Sequence, residues 1–321
     1  MKGTLSKTKH MYIKEFKKLN KKSVSEAGGK GASLGEMTNA KMPVPPGFVV
    51  LASAFNRFLE ETDLDTEIEA LFKKVKHNDI NSVEKASVEI RELIAEATMP
   101  KDLQQDILKS FKTLKTTYVA VRSSATAEDS KTASWAGELE TYLNVTEKNV
   151  IAMVKKCWSS LFTPRAIFYR YEKKLNKKVV SVAVVVQTMV QSEVSGISFT
   201  VHPVTKDYNQ MVIEAGFGLG EAIVSGSVTP DTYVVHKKDF SILDINVSEQ
   251  SMMIIKSGNK NLNKKLSKKD GGKQKLSGKQ IVELAKICKN IEKHYKHPQD
   301  IEWAYTNNKF YITQSRPITT L

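Results

Sequence analysis

Apolar residues recur at helical spacing through the first half of the chain and at strand spacing through much of the second. Residues from Gly28 to Asn39 suit a short helix, which Pro43, Pro45 and Pro46 then break. Ser53 is placed to cap a helix carrying Phe55, Phe58 and Leu59. Asn81 is placed to cap another, with Val83, Ala86, Ile90, Leu93 and Ile94 on one face. Tyr118–Val121 predicts a short strand that runs into a polar loop from Arg122 to Lys131. Thr146 then opens a helix through Val150, Val154, Trp158 and Leu161, disturbed near Pro164. From about Val179 the pattern changes. Val179–Val190, Gly196–Thr200, Met211–Glu214 and Tyr233–Val235 read as strands. Ser277 opens a helix with Ile281, Leu284, Ala285, Cys288 and Ile291 at core spacing, and Ile301–Tyr305 with Phe310–Gln314 predicts a closing hairpin. The fold class is therefore α+β, in two subdomains: residues 1–180, helix-rich, and 181–321, strand-rich.

A chain of 321 residues is long enough for two such units, each with a core. The longest apolar run, Val179 to Val190, is interrupted by Ser181, Gln187 and Thr188 and is too short to span a bilayer. The first twenty residues lack the apolar centre of a signal peptide, so a cytoplasmic location is expected. Cys157 and Cys288 stand apart, without a CxxC pattern or a Cys/His cluster, and read as core thiols. The net charge of +14 raises the question of nucleic acid. Nine lysines lie between Lys256 and Lys279, with no aromatic residue and no arginine among them. Stacking platforms and bidentate base readers are both missing there, so a solvated lysine-rich loop is expected and nucleic acid is not.

Four clusters hold candidate chemistry once two common phosphate motifs are set aside. No GxxxxGK[ST] occurs, and in Gly216-Phe-Gly-Leu-Gly220 the third glycine comes one position early for a dinucleotide fingerprint. Gly28-Gly-Lys30-Gly31 puts a lysine where a loop turns into a helix, a place that favours phosphate; a glycine turn with a solvated lysine is the alternative. Arg122-Ser-Ser-Ala-Thr-Ala-Glu-Asp129 offers a guanidinium for phosphate oxygens, or a structural Arg122–Asp129 pair. Thr132-Ala-Ser-Trp-Ala-Gly137 is small enough to lie over a triphosphate, or to form a tight turn anchored by Trp135. Last, Glu302 interrupts an apolar strand, and Gln314 and Arg316 share one face of the next. A carboxylate and an amide oxygen suit Mg²⁺, with Arg316 on the phosphates; an exposed edge hairpin is the alternative. The register decides. A two-residue Asn307-Asn308 turn pairs Glu302 with Thr313, whereas a three-residue Asn307–Lys309 loop pairs it with Gln314. The metal reading predicts the three-residue loop.

In this order the clusters resemble the ATP-binding domain shared by phosphoenolpyruvate synthase, pyruvate phosphate dikinase and rifampicin phosphotransferase. The segments that carry the resemblance are GGKGASLGEM, VPPGFVV, AVRSSATAEDS, ASWAGELETYLNV, VSGISFTVHPVT, VIEAGFGLGEAIVSGSVTPDTYVV and DIEWAYTNNKFYITQSRPIT, from about residue 25 onward. The resemblance implies an ATP-grasp fold with ATP and Mg²⁺ between the subdomains. By position, Lys30, Arg122 and Arg316 contact phosphates and serve catalysis, and Gly137 and Thr141 belong to the nucleotide loop and the strand after it. Gln187, Met189 and Val190 lie near adenine, and Glu302 and Gln314 hold the metal. Trp135 and Glu138 stand where relatives more often carry Phe and Gln. Such enzymes pass a phosphoryl group to a histidine on a swivelling domain, leaving AMP and phosphate, and then to pyruvate or a drug hydroxyl. None of His10, His77, His202, His236, His294 or His297 lies in a glycine-rich phosphohistidine segment, so a separate domain or subunit bearing that histidine is the expected partner. An antibiotic kinase of the rifampicin type and a non-catalytic nucleotide sensor are the alternatives.

Overall fold

The computed structural model describes residues 11–126, 140–172, 181–258 and 260–319. Two antiparallel sheets carry the fold. The first holds β1 (Ile13–Glu15), β2 (Gly47–Val50), β3 (Val119–Ala125), β4 (Thr141–Val145) and β5 (Val182–Thr188), in the order β1-β2-β5-β3-β4. The second holds β6 (Val194–Phe199), β7 (Gln210–Phe217), β8 (Asp231–His236), β9 (Ile242–Asn246), β12 (Gln299–Thr306) and β13 (Lys309–Pro317), in the order β13-β12-β6-β7-β8-β9. A separate ribbon pairs β10 (Met252–Ser257) with β11 (Lys260–Lys265). Helices α1 (Val24–Asn39), α2 (Ala52–Glu61), α3 (Leu64–Lys74), α4 (Ile80–Glu96), α5 (Lys101–Thr113), α6 (Val150–Ser159) and α7 (Pro164–Glu172) accompany the first sheet. The short α8 (Glu221–Val224) and α9 (Lys268–Gly271) and the long α10 (Gly278–Tyr295) accompany the second.

The apolar run of β5 is explained by burial on both faces. Val182, Val184 and Val186 enter a core shared with α2 to α7, while Ala183 and Val185 enter a second core with α1 and the other sheet. β2 alternates in the same way, Phe48 and Val50 on one side and Val49 on the other. The expected division at residue 180 falls in front of β5, which pairs with both β2 and β3. The chain passes to the second sheet only at residues 189–193.

Helix bodies follow the apolar spacing closely, and their first residues less so. Phe55, Phe58, Val83, Ala86, Ile90 and Ile94 are buried, but α2 is capped by Leu51 rather than Ser53. α4 is capped by Asp79, whose carboxylate accepts from the Asn81 backbone, so Asn81 lies inside the helix. α6 starts after Asn149; the Thr146 hydroxyl donates to the Asn149 side chain instead of capping. Ser277 does cap α10, in a capping box with Gln280. The expected loop from Arg122 is corrected at its start, because β3 continues to Ala125. The lysine-rich segment is also corrected. Lys256 to Lys265 forms most of the β10–β11 ribbon, with every residue of β11 exposed. Lysines on such an edge block further strand pairing. No helix among the described residues is long and apolar enough to cross a membrane.

Candidate functional site

The two sheets face each other across a cavity of about 550 Å³. Lys30 from α1, Arg122 from β3, Thr141 from β4, Gln187 from β5, the connecting Met189 and Val190, Glu302 from β12, and Gln314 and Arg316 from β13 all line it. Gly137 and the rest of Thr132–Gly137 lie outside the described residues, as does Asp129.

Strand alternation places Ala120, Arg122 and Ser124 on one face of β3, with Ala120 and Arg122 in the cavity. Opposite them the hairpin brings Glu302 and Gln314 into register. It does so by a route the spacing did not predict. Thr306 pairs with Lys309 across a two-residue turn, in which Asn307 and Asn308 have φ of 50° and 58°. That turn alone would set Glu302 opposite Thr313. A β-bulge between Glu302 and Trp303 adds one residue to β13, so Trp303 pairs with Ile312 but Glu302 with Gln314. The expected pairing holds, and the expected three-residue loop is replaced by a tight turn plus a bulge. β13 is an edge strand, yet its Gln314 is buried against the other lobe.

The Arg122 guanidinium closes the gap between the sheets. Nη2 donates to Gln314 Oε1 at 2.7 Å and to Glu302 Oε2 at 3.0 Å, and Nη1 donates to the carbonyl of the bulged Thr313 at 2.9 Å. Arg122 Nε is buried without a hydrogen-bond partner. These bonds are charge-assisted and only partly exposed to water, which strengthens them relative to surface pairs. Two oxygens from neighbouring strands therefore converge on a single cationic nitrogen. The Glu302 and Gln314 oxygens fit a small hard cation, with phosphate and water oxygens completing its shell. No group of three or more His, Cys, Asp or Glu with metal-holding geometry occurs among the described residues.

Two acidic residues were missed. Asp300 precedes Glu302 by two positions, so it shares its face, and its Oδ2 accepts from Arg316 Nε at 2.9 Å. Glu214 lies on the same sheet row, since Glu302 pairs with Ile197 and Ile197 with Glu214. Burial pushes the Asp300 carboxyl above its ordinary value; Arg316 pulls against that and Glu302 adds to it. Burial also raises Glu214, with Asp300 adding repulsion. The period-2 spacing of Asp300 and Glu302 was available in the sequence; the Glu214 row required the sheet order.

At the other end of the cavity the walls are Leu143, Met189 and Leu219, packed with Ala222 of α8 and Ile254 of the ribbon. A chain of side chains ties this end together. Gln191 donates to Asn144, Asn144 donates to Asn261 of β11, both at 2.6 Å, and Asn261 donates to Glu221 of α8 at 2.8 Å. Lys256 sits 4.2 Å from the centre of the Tyr118 ring, so the ribbon touches both lobes. Gln187 is buried, its amide reaching the Pro45 carbonyl, and the Met189 backbone N–H donates to the Tyr118 carbonyl.

The comparisons with known proteins agree on one family. A probable phosphoenolpyruvate synthase of Methanocaldococcus jannaschii is 49% identical over 319 residues, covering 97% of this chain and 27% of that protein. A probable phosphoenolpyruvate synthase of Methanothermobacter thermautotrophicus is 43% identical, covering 97% and 46%. The phosphoenolpyruvate synthase of Pyrococcus furiosus is 41% identical, covering 97% and 44%. The chain thus spans less than half the length of these relatives. Residues 24–321 match the AMP/ATP-binding domain of pyruvate phosphate dikinase, and it is to this family that the chain belongs.

Proposed function

We propose that this chain is the Mg·ATP-binding, phosphoryl-donating part of a phosphoenolpyruvate-synthase-like phosphotransferase, folded as an ATP-grasp unit with the nucleotide between its sheets. The observation that carries this reading is the convergence of Lys30, Arg122, Arg316, Glu302 and Gln314 on one cavity. Three cations and two oxygen ligands at one end suit a triphosphate with its metal. The apolar walls and the buried Gln187 at the other end suit a base and its polar edge. When bound, Mg²⁺ would neutralise phosphate oxygens from a position between Glu302 and Gln314. Arg122, Lys30 and Arg316 would bind and orient the phosphates, with Asp300 fixing the Arg316 guanidinium. Gln187 and the Met189–Val190 backbone would orient the base, and Thr141 and Gly137 would border the phosphates.

On this reading the phosphoryl group passes to a histidine carried by a separate domain or subunit, and pyruvate is the later acceptor. The location is cytoplasmic. Calorimetry should show Mg·ATP binding, and adding a relative's phosphohistidine domain should yield AMP and phosphate. Release of ADP instead, or no turnover with that domain present, would overturn the phosphotransfer reading while leaving nucleotide binding to stand on its own measurement.

A further inference from the structure

The glycine-lysine turn is held by a residue outside the cavity. Within α1, Gly28 has φ of 69° and ψ of 173°, so the helix is interrupted there and resumes toward Asn39. A side chain at Gly28 is excluded twice over: that conformation belongs to glycine, and a Cβ would come within 2.2 Å of Ser124 Oγ and 2.3 Å of the Ser124 carbonyl. The Ser124 hydroxyl, fully buried, donates to the Ala27 carbonyl at 3.0 Å and accepts from the Gly31 N–H at 3.3 Å. In an uninterrupted helix those two groups are i and i+4 partners of each other. A hydroxyl inserted between them is a recognised cause of a kink. Lys30 lies inside the clamped interval, and its side chain reaches the cavity.

We infer that Ser124 is a positioning residue: its hydroxyl sets the kink that aims Lys30 at the phosphates. This rests on the nucleotide-binding reading above. β3 brings both parts of the device to the site at once, because Arg122 and Ser124 are two positions apart on one face. Removing the hydroxyl frees the Ala27 carbonyl and the Gly31 N–H to pair directly, straightening the turn and withdrawing Lys30.

The test is a double-mutant cycle on Mg·ATP affinity by calorimetry, with melting temperature as the fold control. Ser124→Ala should weaken binding by about 5–20-fold, Lys30→Ala by at least as much, and the double variant no more than Lys30→Ala alone. Ser123→Ala is the matched control, since Ser123 is equally buried on the same strand but its hydroxyl donates to Glu140. Its effect should be independent of Lys30. Additive losses for Ser124→Ala and Lys30→Ala would overturn the inference, and so would an unchanged affinity in Ser124→Ala. If Lys30→Ala alone leaves affinity unchanged, the nucleotide-site reading has failed rather than the clamp. Should Ser124→Ala not fold, Ser124→Cys puts a slightly larger group with a weaker hydrogen bond in the same place and must show the same non-additivity.

Discussion

The two ends of the cleft are closed by different chemistry. At one end three charged or polar side chains from β3, β12 and β13 meet directly, with Arg122 as the hub. At the other, neutral amides run from Gln191 through Asn144 and Asn261 to Glu221, above a small apolar patch. The charged end brings two sheets together by a single residue that reaches across. The amide end needs a third body, the β10–β11 ribbon, to bridge them. Losing one charged partner leaves the others uncompensated, whereas losing one amide leaves groups that water can serve.

That contrast can be broken at several strengths. Glu302→Ala should act most severely. On the proposed reading it removes one metal oxygen as well as the counter-charge of Arg122, and Mg·ATP affinity should fall by at least ~100-fold in calorimetry with the fold retained. Unaltered affinity would place the metal elsewhere. Arg316→Ala should follow, with a loss of about 10–100-fold; the Asp300 carboxyl it leaves behind adds repulsion toward phosphate. Asn261→Ala should cost less, about 3–10-fold, because it cuts one amide–amide bond and one bond to the exposed Glu221 carboxylate at the ribbon and leaves the charges unchanged. Its penalty should stay constant when ionic strength is raised, while those of Glu302→Ala and Arg316→Ala shrink. Equal salt dependence at both ends would erase the distinction.

The smallest effect is a stability change at Glu214. Burial, with Asp300 nearby, raises its carboxyl above the ordinary value of 4.5. An acid raised in the folded state holds its proton longer there than in the unfolded chain, so stability falls as pH climbs from about the unfolded value through the folded one. Glu214→Gln should therefore melt at the same temperature as wild type well below pH 4.5 and higher, by ~1–3 °C, at neutral pH. A lower melting temperature for Glu214→Gln at neutral pH would mean that the charge is stabilising where it sits.

The charged end was largely legible in the sequence and the amide end was not. Glu302 stood out because it interrupts an apolar strand, and Gln314 and Arg316 because they share one face of the next. Arg122 was marked by the strand before it, although the strand runs on to Ala125 and its partners among the described residues come from β12 and β13. The amide chain joins residues separated by 117, 47 and 40 positions, with no local pattern to link them. β11 carries lysine and asparagine with one leucine, so no period-2 apolar signal announces a strand. The bulge at Thr313 was equally hidden. Spacing counts residues, and an extra residue inside one strand mimics a longer loop in that count.

The bulge also bears on how this wall tolerates insertion and loss. β12 carries Asp300 and Glu302, and β13 carries Gln314 and Arg316, each pair two residues apart. Thr313 is the residue that the bulge absorbs, and absorbing it keeps Gln314 and Arg316 opposite Glu302 and Asp300. Deleting Thr313 would let Gln314 follow Ile312 directly, so the two-residue turn alone would pair Gln314 with Glu302 and Arg316 with Asp300. A single-codon loss would thus remove the bulge and the Thr313 carbonyl that accepts from Arg122, while keeping the acid opposite the amide.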